Sequence, residues 1–599
     1  MMNWNVKRKT LRRMSLCLMP LFSSLVGFAA EPDYVSDFTL LDHQGKAHQL
    51  SWYGDQTAVI LFIQGNGDSV VRDSAVAFNK LRSEYQAQNV AFFMLNPNVG
   101  DSREQIVEEA GQHNYDLPIL VDETQLVAEN LKVTRASESF LIDAKTRRIA
   151  YRGPVDIGSG TDATLRSSLD ALLAGKTQTD RVAMLEGNKI EFPSRDLHAQ
   201  TGLSYSKDIV PILQNNCLDC HHEGGIGPWA MSNHAMIQGW STMMQEVVMT
   251  RRMPPAQIDP HASKPLRAKG MLSVEEKQKL VHWIGAGARM DAGIADPLSE
   301  MTFENPKFTL GEPDLVFKVP AQTIPATGIL DYRYIPVTLN LDRDVWVRAM
   351  ETIPGDRQVL HHVIAYLSSP ADKSVKGRQN GSARGESIGG YAPGRATEIF
   401  RDNSGRFVKK GSNLLLQMHY TTSGKVSVDE TEIGLYLYDK PPAYVMSGGV
   451  AGQRRFLIPP NVKDYKIEGE QLIERDAYLY SMMPHMHFRG KYMNYTAVFP
   501  NGKSETLLSV PKYNFNWQFN YELAEPLFLP AGTRLIARGA MDNSDRNSFN
   551  PDPSMPVRFG LQTKHEMFFG FMTLRYVGDT PENLVGDKAI SAKDEVAGL

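Results

Sequence analysis

Cysteine is scarce in this chain of 599 residues, which contains only three. Cys17 lies in an apolar N-terminal stretch, and the other two, Cys217 and Cys220, stand three positions apart. A disulfide framework of the kind that stabilises small secreted proteins is therefore excluded. The stability of the chain must come from its hydrophobic cores.

An excess of charge of either sign is also lacking. Lysine and arginine together number 64 and aspartate and glutamate 68, which gives a formal net charge of −4 at pH 7. Because nucleic-acid binding proteins carry a basic surface, we expect no nucleic-acid partner. The composition, 42% hydrophobic and 22% charged, excludes disordered and collagen-like classes.

Long hydrophobic runs are missing apart from one near the N-terminus. Basic residues at 7–13 precede an apolar stretch at 14–28 and then two alanines. This order predicts a secretory signal over residues 1–30, because the apolar stretch is shorter than the roughly 20 residues that span a bilayer. A membrane anchor is the alternative. We expect a periplasmic or secreted protein that is not integral to the membrane after cleavage.

Differences in composition divide the rest of the chain into several predicted domains. Residues 31–175 alternate strand-like runs at 57–63 and 90–95 with a helical stretch at 74–88, which predicts an α/β domain. A polar linker is expected over residues 176–200. Residues 201–296 are helical in pattern, and Ser273 with Glu276 predicts a capping box at a helix start.

Residues 300–580 are β-rich in pattern. Short alternating runs such as 414–420, 433–438 and 478–482 are separated by Gly and Pro turns. This pattern predicts a pair of all-β sandwiches, at residues 300–445 and 446–580. A loosely ordered tail is expected over residues 581–599.

The segment Cys217-Leu218-Asp219-Cys220-His221 has the C-x-x-C-H arrangement that attaches c-type haem covalently. The two thiols would form thioethers with the porphyrin, and His221 would be the proximal iron ligand. A zinc knuckle or redox dithiol is the alternative, but no second cysteine pair completes a zinc site. The motif thus predicts one covalent haem c in an all-α, cytochrome c-like domain over residues 201–296.

The second axial ligand of the iron is expected to be Met253, which precedes two prolines in the segment Arg-Arg-Met-Pro-Pro. The prolines fix an extended loop that could hold the thioether towards the iron. Four other methionines compete for this role: Met231, Met243, Met244 and Met249.

Histidines recur through the β-rich part. Residues two apart in a strand point to the same face, so His485 and His487 can bind one metal ion. Adjacent residues point to opposite faces, so His361 and His362 need a twisted strand end, or different ring nitrogens, to share one. Imidazole together with thioether suits copper. The ligand-type side chains follow the order His361, His362, His419, His485, His487 and Met567.

Taken in this order, these residues resemble the copper type II, ascorbate-dependent monooxygenases over residues 300–580. The resemblance implies two jelly-roll-like sandwiches that each hold one of two copper ions, with a solvent-filled cleft between them. It also implies O₂ as co-substrate and hydroxylation of an aliphatic C–H bond. The ligand sets it implies are His361, His362 and His419 for an electron-transfer copper, and His485, His487 and Met567 for the catalytic, oxygen-binding copper.

The sequence departs from that family at the substrate contacts. Where the amidating enzymes have an arginine two residues before the first His of H-x-H, this chain has Met483. Phe569 and Phe571 stand where those enzymes place polar contacts. We therefore expect a small, apolar substrate.

Residues 31–175 resemble the thioredoxin-like, peroxiredoxin-type redoxins. Asp37-Phe38-Thr39-Leu40 matches their opening, and Ser139-Phe140-Leu141-Ile142-Asp143 matches a late strand. The expected active segment, residues 64–69, contains no cysteine. Since thiol chemistry needs a thiolate, we expect this domain to serve docking or structure.

Together these features predict an exported copper-dependent monooxygenase. Its electrons would come from a periplasmic donor through the haem. The alternative from another class is a non-catalytic periplasmic haem/copper redox sensor or electron-transfer protein. A haem peroxidase-like enzyme is a third interpretation, although ligation by Met253 would leave no open position on the iron.

Overall fold

The computed structural model describes residues 34–155, 164–176, 179–182, 186–255, 258–267, 271–303, 307–368, 387–392, 396–401 and 403–586. The predicted signal segment lies outside these ranges, as do residues 587–599 of the predicted tail. Among the described helices, none is both long and apolar enough to cross a membrane.

An α/β domain occupies the N-terminal part. Its elements are β1 (Thr39–Asp42), β2 (Ala47–Gln49), β3 (Ala58–Ile63), α1 (Ser69–Tyr85), β4 (Val90–Asn96), α2 (Arg103–Gln112), β5 (Ile119–Val121), α3 (Leu126–Asn130), β6 (Glu138–Asp143), β7 (Ile149–Pro154), α4 (Leu165–Leu173) and β8 (Asp180–Arg181). The eight strands form one sheet in the order β2-β1-β5-β4-β3-β6-β7-β8. All six residues of β3 are buried and apolar, as a strand covered on both faces requires.

Helices follow in the next segment: α5 (Pro193–Thr201), α6 (Val210–Asn216), α7 (His234–Met249) and α8 (Val274–Gly285). Helix α6 continues from a turn of π-helix at Tyr205–Ile209. The capping box predicted at Ser273 and Glu276 is confirmed at the start of α8. The segment expected as a linker carries β8, which extends the N-terminal sheet, and most of α5.

The predicted β-rich C-terminal region is confirmed, and its first part contains two large sheets around one core together with a small two-stranded sheet. Its strands are β9 (Leu315–Lys318), β10 (Gln322–Ile324), β11 (Arg333–Thr338), β12 (Val345–Ile353), β13 (Leu360–Ser368), β14 (Ser387–Tyr391), β15 (Thr397–Ile399), β16 (Ser404–Val408), β17 (Asn413–Tyr420), β18 (Ser427–Asp429), β19 (Glu432–Leu437) and β20 (Tyr444–Val445). One sheet has the order β11-β17-β13-β14 and the other β20-β16-β12-β19-β9, with β15 also paired to β12. Residues such as Val347 and Val363 bring the two sheets into one hydrophobic cluster.

The second part of the region forms an eight-stranded sheet. Its strands are β21 (Ser447–Gln453), β22 (Leu457–Ile458), β23 (Tyr465–Ile473), β24 (Ala477–Met486), β25 (Gly490–Val498), β26 (Ser504–Val510), β27 (Tyr521–Leu529), β28 (Thr533–Met541), β29 (Val557–Arg558) and β30 (Phe568–Tyr576), followed by helix α9 (Pro581–Gly586). The sheet order is β26-β25-β28-β23-β21-β30-β24-β27, while β22 pairs with β29. Because β21 and β23 are joined by the single pair Gly452 and Glu470, the sheet consists of two four-stranded halves, which share a core.

Residues 258–267 of the helical segment, which we call the strap, contact both the α/β domain and the second part of the β-rich region. The Asp259 amide donates to the Ser509 carbonyl at 2.9 Å, and its carboxylate accepts from Arg103 of the α/β domain at 2.7 Å. The side chain of Asp259 is fully buried and that of Arg103 is 10% exposed. The strap therefore connects the α/β domain to the second β-sheet part through a buried ion pair.

Candidate functional site

The first histidine set, formed by His361, His362 and His419, meets at a β-bulge. In the pairing of β13 with β17, Leu360 lies opposite Tyr420 and His362 opposite His419, with a register shift between the two pairs. A bulge places two residues against one and redirects their side chains. As a result His361 Nδ1 lies 3.2 Å from His362 Nδ1 and 3.3 Å from His419 Nδ1.

This first histidine set fits a metal ion. The three rings are buried, and their ligand atoms lie within 4.8 Å of one another. Burial lowers the pKa of His361 to about 4 and depresses the pKa values of His362 and His419 well below the ordinary value. The imidazoles are therefore neutral near pH 7, which is the form that binds metals.

The second histidine set, formed by His485 and His487, lies at the end of β24. The Gln518 Oε1 atom is 2.7 Å from His485 Nδ1, and the His565 carbonyl is 3.2 Å from His487 Nδ1. These acceptors favour the proton on Nδ1 and leave the Nε2 lone pairs for a ligand. Burial is the main cause that lowers the pKa of both rings, that of His485 to about 4.

The pairing of two neighbouring strands positions Met567 next to the second histidine set. In the pairing of β24 with β30, His485 lies opposite Phe569 and Met486 opposite Phe568, so the next position sets Met567 opposite His487. Directly opposite residues share one face of a sheet. The Glu566 carboxylate fixes this corner by accepting from the backbone amides of His487 at 2.9 Å and Met567 at 3.3 Å.

The two histidine sets nearly touch. The ring centroids of His362 and His485 are 6.4 Å apart, and Tyr332 is in edge contact with His362, His419 and His487. The resemblance implied a solvent-filled cleft between the two sets. In this structure buried aromatic and imidazole rings occupy the space, and the two sets form one continuous cluster.

A loop of the second sheet part, residues 511–520, supports both sets, and we call it the bridging loop. Phe515 stacks on His361 with ring centroids 4.7 Å apart. Asn516 Oδ1 is 3.4 Å from His361 Nε2, and Gln518 Oε1 contacts His485. This loop was not predicted from the sequence motifs, although amides and aromatic residues alternate from Asn514 to Asn520.

The C-x-x-C-H motif follows α6 directly, and the thiols of Cys217 and Cys220 are free. His221 Nδ1 lies 3.0 Å from the Trp229 carbonyl, which leaves Nε2 available to a metal. A Cβ atom on Gly227 would stand 2.6 Å from His221 Nδ1, so the glycine allows the ring its position. Two free thiols next to a histidine with an available Nε2 are the groups that covalent haem attachment would use.

Met253 lies just beyond α7, where its amide donates to the Val247 carbonyl at 3.1 Å. No hydrogen bond joins Met253 to the C-x-x-C-H motif among the residues described. Pro255, two positions further on, lines a small cavity together with Tyr513 and Trp517 of the bridging loop. The proline loop of the helical segment therefore faces the loop that supports the histidines.

The active segment of the α/β domain holds a network of amides and carboxylates. Asn96 Nδ2 donates to Gln64 Oε1 at 2.7 Å and to Asp101 Oδ2 at 2.8 Å. Asp68 caps α1 by accepting from the amides of Val70 and Val71. These contacts take the place of a thiol centre, as the missing cysteine predicts.

The AhpC/TSA family matches residues 33–152 of this chain. The N-terminal α/β domain is therefore thioredoxin-like, and this fold is typical of oxidoreductases. No curated protein matches the chain. The family match does not extend to the helical segment or the β-rich region.

Solved structures similar to the chain each align with about a quarter of it. A hypothetical protein from Sinorhizobium meliloti is 28% identical, with 27% of this chain and 93% of that chain covered and a TM-score of 0.23. A peroxidoxin from Mycobacterium tuberculosis is 22% identical, with coverages of 24% and 93% and a TM-score of 0.19. An exposed lipoprotein thioredoxin from Streptococcus pneumoniae is 20% identical, with coverages of 23% and 98% and a TM-score of 0.20.

Proposed function

We propose that this chain is an exported, copper-dependent monooxygenase that hydroxylates an aliphatic C–H bond of a small molecule with O₂. The observation that carries the proposal is the buried cluster in which the first and second histidine sets meet, with ring centroids of His362 and His485 6.4 Å apart. Two neighbouring metal ligand sets can serve a reaction that needs two electrons per O₂ molecule.

Copper is the metal that the donor atoms favour. Neutral imidazoles joined by a thioether at Met567 suit copper better than zinc, calcium or magnesium. When bound, copper would supply O₂ activation and electron transfer, so that one oxygen atom enters the C–H bond and the other leaves as water. The protein's own task is to keep the rings neutral, orient them through Gln518 and the His565 carbonyl, and exclude bulk water.

Haem c would be held by Cys217, Cys220, His221 and Met253, and it would supply electrons from a periplasmic donor. Its attachment motif lies within electrostatic range of Tyr391 in β14, the strand that pairs with β13. Burial is the largest cause that raises the pKa of Tyr391 to about 12, and the Cys220 thiol adds to it. Tyr391 in β14 pairs with Val363, the residue after His362. This proximity supports an electron path from the haem domain to the first histidine set.

A non-catalytic haem/copper redox sensor or electron-transfer protein is the second candidate. The cysteine-free α/β domain favours it, because that domain is suited to docking a partner rather than to thiol chemistry. Consumption of O₂ coupled to reductant and substrate separates the two functions.

Metal analysis is the first test, on the full chain exported from a host that matures cytochromes c. We expect two copper ions per haem iron, with one lost in His419→Ala and one lost in Met567→Ala. Reductant-driven O₂ consumption that disappears in both variants would support the monooxygenase. Iron without tightly held copper would overturn it.

A further inference from the structure

A cavity of about 110 Å³ lies where the α/β domain meets the helical segment and the strap. We infer that this cavity binds a short-chain aliphatic carboxylate. The carboxylate group pairs with Lys277 and Arg251, and the hydrocarbon tail packs against aliphatic side chains. None of the five histidines of the two sets lines this cavity, so the inference does not rest on the proposed function.

Much of the cavity wall is aliphatic. The α/β domain contributes Leu40, Val121 and Val127, and helix α7 contributes Val248 and Met249. Because apolar surfaces are stabilised when they leave water, this part of the wall suits a hydrocarbon tail. An engineered cavity of about 150 Å³ in another protein binds benzene. At about 110 Å³, the present cavity has space for a tail of about four carbons.

Two cations also line the cavity, Lys277 of α8 and Arg251 just beyond α7. Both side chains are partly buried. Neither forms an ion pair with a carboxylate of the described residues. The Arg251 guanidinium donates to the Ile258 carbonyl at 2.7 Å, which uses one of its five N–H donors. The remaining donors and the Lys277 ammonium are available to an anion.

The carboxylates in the wall do not serve these two cations as ion-pair partners. Each is engaged with another residue: Asp42 with His48 at 2.9 Å, Glu123 with His261 at 2.6 Å and Asp259 with Arg103 at 2.7 Å. Glu123 and Asp259 attract Arg251 only from beyond ion-pair distance. A partly buried charge without a close partner is costly, and a bound carboxylate would offset this cost at both cations.

The electrostatics of the two cations favour an anion between them. Burial is the largest cause that lowers the pKa of Lys277 to about 8, and repulsion from Arg251 adds to it. Lysine is therefore still mainly charged at pH 7. Burial also lowers the pKa of Arg251, whose backbone has a φ of 52°. Such left-handed conformations are uncommon outside glycine and are found preferentially at functional sites.

The test is calorimetry on the full chain with haem and copper bound, in a buffer free of other carboxylates. Four probes are compared: pentanoate, pentanamide, acetate and inorganic phosphate. We expect pentanoate to bind about 10- to 100-fold more tightly than pentanamide, the usual contribution of a hydrogen bond to a charged group. Acetate lacks the tail and should bind at least about tenfold more weakly than pentanoate. Equal affinity for pentanoate and pentanamide, or tighter binding of acetate or phosphate, would overturn the inference.

Variants of α8 locate the binding. Lys277→Met should weaken pentanoate binding by about 10- to 100-fold and leave pentanamide unchanged, whereas Lys277→Arg should retain most of the affinity. Lys279→Met is the matched control, because Lys279 pairs with Glu275 at 2.7 Å and does not line the cavity. This control should bind pentanoate as the unchanged chain does.

Thermal unfolding separates loss of the site from loss of the fold. Removal of a partly buried ammonium should stabilise the ligand-free chain, so Lys277→Met should remain folded. Pentanoate should raise the unfolding midpoint of the unchanged chain and of Lys279→Met, but not that of Lys277→Met. A carboxylate that coordinated copper instead would bind Lys277→Met undiminished, and this result would overturn the inference.

Discussion

Replacing Gln518 by leucine tests how the second histidine set is prepared for metal. Gln518 Oε1 lies 2.7 Å from His485 Nδ1, and leucine keeps the size of the side chain but removes the acceptor. Hydrogen bonds to the outer nitrogen of a ligating histidine contribute about 10- to 100-fold to metal affinity, or about 1.4–2.7 kcal/mol. We expect Gln518→Leu to weaken copper binding at the second histidine set by this factor and to leave the first set unchanged.

A competition titration with a copper chelator, in which two classes of copper are resolved, measures this effect. Gln518→Glu keeps an acceptor oxygen and should retain most of the affinity. Gln417→Leu is the matched control, because Gln417 is also buried but donates to the Tyr334 hydroxyl at 2.6 Å instead of contacting His485. If Gln518→Leu lowered copper affinity equally at both histidine sets, the bridging loop would have collapsed. If copper affinity fell at neither set, the role of Gln518 in orienting His485 would be refuted.

Three further predictions concern the parts around the cluster. Burial lowers the pKa of Lys277 to about 8, below its value in the unfolded chain. Burying the charged ammonium therefore lowers the free energy of unfolding by its full amount below pH 8. This cost disappears as the pH rises towards 10.5. Lys277→Met should therefore stabilise the chain by about 1–2 kcal/mol at pH 7 and progressively less above pH 8, measured by denaturant unfolding across pH. Asp259→Asn leaves Arg103 without its buried partner and should lower the free energy of unfolding by about 3 kcal/mol. We expect this loss to appear as earlier proteolysis between the α/β domain and the strap. Protection from proteolysis equal to that of the unchanged chain would contradict this prediction. Gly227→Ala should displace His221 and reduce covalent haem, measured by the pyridine haemochrome spectrum, whereas Gly239→Ala in α7, with open space around its Cβ position, should retain haem.

Elements with continuous apolar runs were predictable from sequence. The run at 57–63 is β3 (Ala58–Ile63), and that at 90–95 is β4 (Val90–Asn96). The helix predicted at 74–88 begins earlier, at Ser69, because Asp68 caps it and a cap contributes no hydrophobic periodicity. Strands as short as β2 were missed, since their pairing with β1, not their composition, defines them.

The histidines of the cluster were identifiable from sequence because metal chemistry restricts which residues can act as ligands. Their supporting contacts were not. Gln518 is 33 positions from His485, and the bulge at His361 depends on the pairing of β13 with β17, more than 50 residues further along. Such long-range pairings leave no periodic signal in either segment.

The bulge at His361 also bears on the order of events when metal enters. The convergence of His361, His362 and His419 is imposed by main-chain pairing of β13 and β17, so the three nitrogens are assembled before any ion arrives. Preorganisation of this kind removes the entropic cost of gathering ligands. If this set binds copper as proposed, metal capture should be fast and nearly independent of folding, so that the chain can fold first and acquire the ion afterwards.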